Sequence, residues 1–151
     1  MKKINVLLSA CLLVVLTGYT QKVAPDKVPA PVKQAFEKKF PAATDVRYEM
    51  EKKDYEINFK VKAVEMSANF DATGIWLETE TGIKESDLPK EVMASVAKNF
   101  GGFRISEIAK TETPGKDLIY EMDLKKGSEG YEVQCSAKGD ILKKTMLKKE
   151  K

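Results

Sequence analysis

The sequence predicts an α+β domain made of two related halves, each a helix followed by about four antiparallel strands. Three observations carry this. Two segments with apolar residues at helical spacing stand 60 residues apart, two sets of strand-like alternation stand 65 apart, and a glycine marks a turn at the same place in each half.

The first element is a targeting segment. Lys2 and Lys3 precede an apolar run from Val6 to Leu16, broken only by Ser9, and small or polar residues follow at Thr17, Gly18 and Thr20. This is the layout of a secretory signal peptide over residues 1–20, and the run is too short for a membrane span of about 20 residues. Leu8-Ser9-Ala10-Cys11 also resembles a lipoprotein cleavage site. Its longest apolar stretch, Leu12–Leu16, would then lie on the wrong side of the cysteine, so position favours an ordinary signal over lipid anchoring at Cys11. The mature chain, 21–151, is expected to be exported, periplasmic or extracellular, and not membrane-spanning.

Helices come next in each half. Val28-Pro29 opens a segment with Val32, Ala35, Phe36 and Phe40; Leu88-Pro89 opens another with Val92, Val96 and Phe100. A proline at a helix start sacrifices no hydrogen bond, and Pro41 in one half and Gly101-Gly102 in the other end the pattern. The halves are expected to run over about 26–85 and 86–147.

Strands follow. Tyr55, Ile57, Phe59 and Val61 alternate with polar residues, as do Tyr120, Met122 and Leu124; Met66, Ala68 and Phe70 match Tyr131, Val133 and Cys135. An earlier strand is expected around Arg47–Glu51. Thr113-Pro114-Gly115-Lys116 is the natural place for the five extra residues of the second half. One-sided alternation implies a sheet with one buried and one wet face, the buried face covered by a helix. Pattern alone leaves open whether the two sheets join.

The run Val28-Pro29-x-x-Val32-x-x-Ala35-Phe36-x-x-x-Phe40-Pro41-x-Ala43, with Tyr55-Glu56-x-x-Phe59 and Asp71-x-x-Gly74-x-Trp76-x-Glu78-x-Glu80, resembles the PepSY-like family of exported bacterial proteins, which is similar to the beta-lactamase inhibitory protein. Leu88-Pro89-x-x-Val92 and Tyr131-Glu132-Val133 resemble its second repeat. The resemblance implies a tandem repeat whose strands form one antiparallel sheet, with helices on one face and the other face open. It also implies proteins that bind or inhibit other proteins. The inhibitor's disulfides and its enzyme-contacting residues have no match here, so beta-lactamase inhibition is not carried over.

Composition narrows the function. The chain has no histidine, which excludes Ser–His and Cys–His catalysis and the common zinc sites. With the signal removed, the net charge of +3 falls to +1, no footprint for nucleic acid; the lysines at 143, 144, 148, 149 and 151 read as a solvated chain end. Outside the signal Cys135 is alone, so no internal disulfide is possible, and its alternating context makes it a small core residue. The carboxylate pairs Glu49/Glu51 and Glu78/Glu80 are expected on a solvated face with unshifted acidity. No cofactor is expected, and the protein is expected not to be an enzyme.

Two sites remain. Asn69, Asp71, Thr73 and Glu80 partly fit a calcium-loop spacing around Gly74, but Asp71-Ala72-Thr73-Gly74 equally describes a hairpin turn, and Ser136-Ala137-Lys138-Gly139 replaces the carboxylate in the other half. If Ile75 and Leu77 face the helix, Trp76 stands on the open face with Glu78 and Glu80, an aromatic anchor for a protein or peptide of the cell envelope, with Glu56 and Asn58 as further contacts. In the opposite register Trp76 is core.

Overall fold

The computed structural model describes residues 21–147. The expected signal peptide, Cys11 and the lysines at 148, 149 and 151 lie outside them.

Both helices form where the apolar spacing places them. Helix α1 (Ala30–Lys39) follows Pro29, carries Pro31 in its first turn, and buries Val32 and Phe36. Helix α2 (Lys90–Asn99) follows Pro89 and buries Val92 and Val96. In each, the apolar residues are four apart and so share one face. The Phe40 N–H donates to the Phe36 carbonyl at 2.8 Å, and Phe100 does the same to Val96, closing the last turns. Short 3₁₀ turns, Pro25–Lys27 and Glu85–Asp87, lead into the helices.

The strands are β1 (Gln21–Val23), β2 (Thr44–Glu51), β3 (Asp54–Val61), β4 (Val64–Phe70), β5 (Trp76–Gly82), β6 (Arg104–Glu112), β7 (Ile119–Lys126), β8 (Glu129–Ser136) and β9 (Ile141–Met146). They form one antiparallel sheet of nine strands in sequence order, with α1 between β1 and β2 and α2 between β5 and β6. The α+β expectation therefore holds, and the strands do join into one sheet. Strand β1 has no counterpart in the expectation. The loop Thr113–Leu118 accommodates the longer second half, with a turn closed by the Lys116 N–H on the Thr113 carbonyl.

Register fixes the faces, because residues directly paired across antiparallel strands share one. Ile57 pairs with Ala68 and Ala68 with Thr79; Thr79 pairs with Glu112 and Thr81 with Lys110 across the β5–β6 junction; Lys110 pairs with Tyr120 and Tyr120 with Cys135. One face therefore runs unbroken from the residues packed by α1 to those packed by α2, and both helices lie on it.

Two apolar clusters fill the space beneath the helices. Val32 and Phe36 pack with Ile57, Phe59, Ala68 and Phe70; Val92 and Val96 pack with Met122, Leu124, Val133 and Cys135. Phe36 meets Phe59 edge-on at 5.0 Å between ring centres, a favoured aromatic geometry. Cys135 is a free, fully buried thiol, as its alternating context implied. Between the clusters the helix-side face turns polar, with Thr79 buried and Lys110 paired to Glu112 at 3.3 Å.

The hairpin turns after β4 and β8 are docked on the helices. At Gly74, with φ +87°, a Cβ would stand 2.6 Å from the Pro31 carbonyl oxygen; at Gly139, with φ +83°, it would meet the Glu91 carbonyl. Both the left-handed backbone and the close approach require glycine.

Candidate functional site

Trp76 is not on the open face. Across β4–β5 Asn69 pairs with Glu78, but Phe70 pairs with Trp76, so a bulge puts one extra residue, Leu77, into β5. The extra residue inverts the alternation on its N-terminal side. Trp76 therefore lies on the helix-covered face, packed against the α1 cluster. Its indole N–H donates to the Thr79 hydroxyl at 2.9 Å, and the Lys39 ammonium sits 3.5 Å from a ring centre. The expected open-face anchor is corrected to a half-buried core residue. Ile75, expected to face the helix, is instead 61% exposed. The second half carries the same bulge, between Gln134 and Cys135 opposite β9, so Ile141 pairs with Cys135.

The expected calcium loop is a side-chain-closed turn. One Asp71 carboxylate oxygen accepts from the Thr73 N–H at 2.8 Å, the Thr73 hydroxyl at 2.6 Å and the Ile75 N–H at 3.0 Å. These bonds hold the Asp71 carboxyl below its ordinary acidity range. Asn69 donates to Glu78 at 2.7 Å, and Glu80 stands farther along β5 opposite Ser67. In the second half the Ser136 hydroxyl takes over, accepting from the Lys138 and Asp140 N–H groups at 3.2 Å each. A neutral side chain thus does the same work, which marks the loop as a turn. Among the described residues, no three Asp, Glu, Cys or His side chains are grouped so that they could hold a metal ion.

Glu56, Asn58, Glu78 and Glu80 do share the uncovered face. Glu56 pairs with Asn69 and Asn69 with Glu78; Asn58 pairs with Ser67 and Ser67 with Glu80. Register extends this face into the second half, since Glu80 pairs with Thr111, and Glu121, on the strand beyond, pairs with Ala109 and Gln134. Glu132 pairs with Asp123 and Thr145 beside them. Glu121 and Glu132 are members of the cluster that sequence reading missed; their equivalents 65 residues earlier, Glu56 and Ser67, were the available signal.

These carboxylates are not solvated as expected. Glu78, Glu121 and Glu132 are buried at 5%, 7% and 4% exposure, although they lie on the face opposite α1 and α2. Burial, then repulsion from Glu121, Glu78, Glu56 and Glu132, pushes Glu80 up to about 8. Burial lifts Glu121 to about 7, against an opposing 2.8 Å hydrogen bond from Gln134 and the nearby Lys143 charge. Glu56, Asp123 and Glu132 are raised as well, mainly by burial. The Oε1 atom of Glu132 is buried without a hydrogen-bond partner. Raised carboxylates are a feature of catalytic acids, yet these lie along a sheet face. One recess, of about 350 Å³ near β2, is lined by Asp45, Val46, Arg47 and Lys60 and includes none of them.

Comparison with known proteins gives a consistent picture. The family described as PepSY-like and beta-lactamase-inhibitor-like matches residues 17–67 and 61–143. No curated protein matches the chain. Among solved structures, the chain is similar to a Bacteroides eggerthii protein provisionally described as periplasmic, at 18% identity over 80% of this chain and 89% of that one, with a TM-score of 0.76. It is similar to a DUF2874 family protein of Bacteroides uniformis at 19% identity, over 78% and 88% of the two chains, with a TM-score of 0.75. A BLIP-like protein of Bacteroides fragilis matches at 20% identity, over 82% and 89%, with a TM-score of 0.71. At such identities the likeness shows the fold alone.

Proposed function

The chain belongs to the PepSY-like, beta-lactamase-inhibitor-like family, and on that footing we propose that it is a non-enzymatic exported module that binds a protein or peptide through the uncovered face of its sheet. The observation that carries this reading is the asymmetry of the sheet. One face is covered by α1 and α2, while the other presents Glu56, Asn58, Glu78 and Glu80 in register across three strands, with neither helix packed over them among the described residues. A broad polar sheet face suits a polypeptide partner better than a small substrate, which needs a concave, mostly apolar pocket.

The element order, helix then four strands on each side of the β5–β6 junction, together with the shared bulge and docked glycine turn, supports a tandem repeat over about 26–85 and 86–147 within a single domain. Export rests on the sequence of residues 1–20 and on a structural relative described as periplasmic. Among the described residues, no helix is long and apolar enough to cross a membrane. The missing histidine supports the non-enzymatic reading.

The test is capture from envelope extract by the full chain, beside Ser67→Tyr. Ser67 lies between Asn58 and Glu80 on the uncovered face, so the added ring obstructs that face without entering the core. A partner held by the wild type and lost with Ser67→Tyr supports the reading; a partner held equally by both refutes it.

A further inference from the structure

The first long strand after each helix carries a bulge at the same place. In β2, Thr44 pairs with Lys60 and Arg47 with Asn58, which leaves one extra residue between them. In β6, Ile105 pairs with Leu124 and Glu107 with Asp123, with the same result. Asp45, inside the first bulge, takes a left-handed φ of +54°, a region that aspartate enters more readily than most residues. Val46 packs against the α1 cluster, and the Thr44 hydroxyl donates to the Lys60 carbonyl at 3.4 Å. The bulge is therefore tied to the core on one side and to β3 on the other. Bulges re-aim side chains, and this one borders the recess of about 350 Å³ lined by Asp45, Val46, Arg47 and Lys60.

The two bulges carry opposite charge. In the second half Glu107 stands opposite Asp123, and burial, then Glu107, raises the Asp123 carboxyl above its ordinary range. In the first half the same two places hold Arg47 and Asn58. The bulge forms with a carboxylate there as well as with a guanidinium, so its geometry does not call for Arg47. Lys60 is already countered, since its ammonium lies 3.5 Å from Asp45 and 3.9 Å from Glu65. Arg47 is exposed, and among the described residues its guanidinium has no hydrogen-bond or ion-pair partner.

Two cations and one carboxylate thus line a space at the lower end of the ~300–1,000 Å³ range of ligand sites, sized for one terminal group. A guanidinium presents paired N–H donors that match a carboxylate in its own plane. Asp45 repels a doubly charged phosphate, and it can accept instead from an N–H beside a bound carboxylate.

We propose that the recess binds a carboxylate with an N–H donor next to it, the arrangement at a peptide C-terminus and in small N-acylated acids. Arg47 is the bidentate donor, Lys60 the second cation and Asp45 the acceptor for the N–H. This site goes beyond the binding face proposed above, and either can fail alone.

The experiment titrates the full chain with N-acetylglycine, N-acetylglycinamide, trialanine and inorganic phosphate, followed by the backbone amide NMR shifts of Val46 and Arg47. Both acids are expected to move these signals, and the neutral amide to leave them in place. Arg47→Gln should weaken the acids by about tenfold or more, the usual loss of a charge-assisted hydrogen bond. Arg104→Gln, an exposed cation at the second bulge, should change them by less than about twofold. Asp45→Asn keeps a residue that tolerates the left-handed backbone; it should weaken N-acetylglycine and admit phosphate. Tighter binding of trialanine than of N-acetylglycine marks a peptide C-terminus as the source, and the reverse order marks a free acid; both support the site. Unchanged melting curves verify the variants, and the comparison of acid with amide needs no variant at all. The proposal is overturned if the amide binds as tightly as the acid, or if neither acid moves the signals. Equal losses in Arg47→Gln and Arg104→Gln, tighter binding of phosphate than of acid by the wild type, or an unchanged ranking in Asp45→Asn would overturn it too.

Discussion

Trp76 stands opposite Phe70 on the helix-covered side of the sheet, with the Lys39 ammonium 3.5 Å from its ring. The tryptophan therefore joins β5 to α1. Trp76→Ala is expected to cost about 2–4 kcal/mol of stability, below the ~3–5 kcal/mol for a fully buried aromatic because Trp76 is only half-buried. Its effect on partner affinity should be under threefold. Urea unfolding followed by circular dichroism, with a binding measurement at a temperature where the variant is folded, checks both parts.

Gly74 and Gly139 meet the first turns of α1 and α2 with positive φ and no room for a Cβ. Alanine at either position is expected to destabilise by at least about 2 kcal/mol, since strain and collision add. Gly115, at φ +64°, has nothing within 4 Å of the Cβ position, so Gly115→Ala should cost only about 1 kcal/mol. Equal effects at all three sites in denaturant titrations would contradict docking of the turns on the helices.

Stability should fall as pH rises through neutrality. Glu80 is raised to about 8 and Glu121 to about 7 from an ordinary 4.5. Between those limits the folded chain holds protons that the unfolded chain has released, so each pH step upward favours unfolding until about pH 8, where the loss levels off. Glu80→Gln is expected to recover on the order of 1–2 kcal/mol at pH 9 and little at pH 5. Asp71, whose acidity is shifted the other way, adds stability that is lost only as pH falls through its depressed value. Urea midpoints at pH 5, 7 and 9 give the slope directly.

Asp71→Ala removes the acceptor for three donors in the β4–β5 turn and is expected to lower the urea midpoint at neutral pH. Millimolar calcium should leave the melting temperature of wild type and variant unchanged. A calcium-dependent rise lost in Asp71→Ala would restore the metal-loop reading.

Much of the fold was legible because the apolar pattern recurs along the sequence. The apolar residues four apart in Val32/Phe36 and Val92/Val96, each set behind a proline, predicted both helices, and the alternation in Tyr55–Val61 and Tyr120–Leu124 predicted the strands beneath them. The face of Trp76 was not legible. Alternation was extrapolated through a bulge at Leu77 that no glycine or proline marks. The three residues of β1 are too few to show a period. Glu56, Asn58, Glu78 and Glu80 fall on one face because they share a parity within strands. The burial of Glu78, Glu121 and Glu132 was missed because alternation within a strand assigns a residue to a face but carries no trace of contacts from outside that strand, such as the hydrogen bond from Gln134 to Glu121.

Side chains of equal bulk placed on opposite sides of the sheet test the account most directly. Ser67→Tyr loads the uncovered face, and Ala94→Tyr loads the exposed surface of α2. The dissociation constant of the captured partner is predicted to rise at least tenfold with Ser67→Tyr and to stay within twofold of wild type with Ala94→Tyr. The reverse order would place the partner on the helices and contradict an uncovered-face binding module.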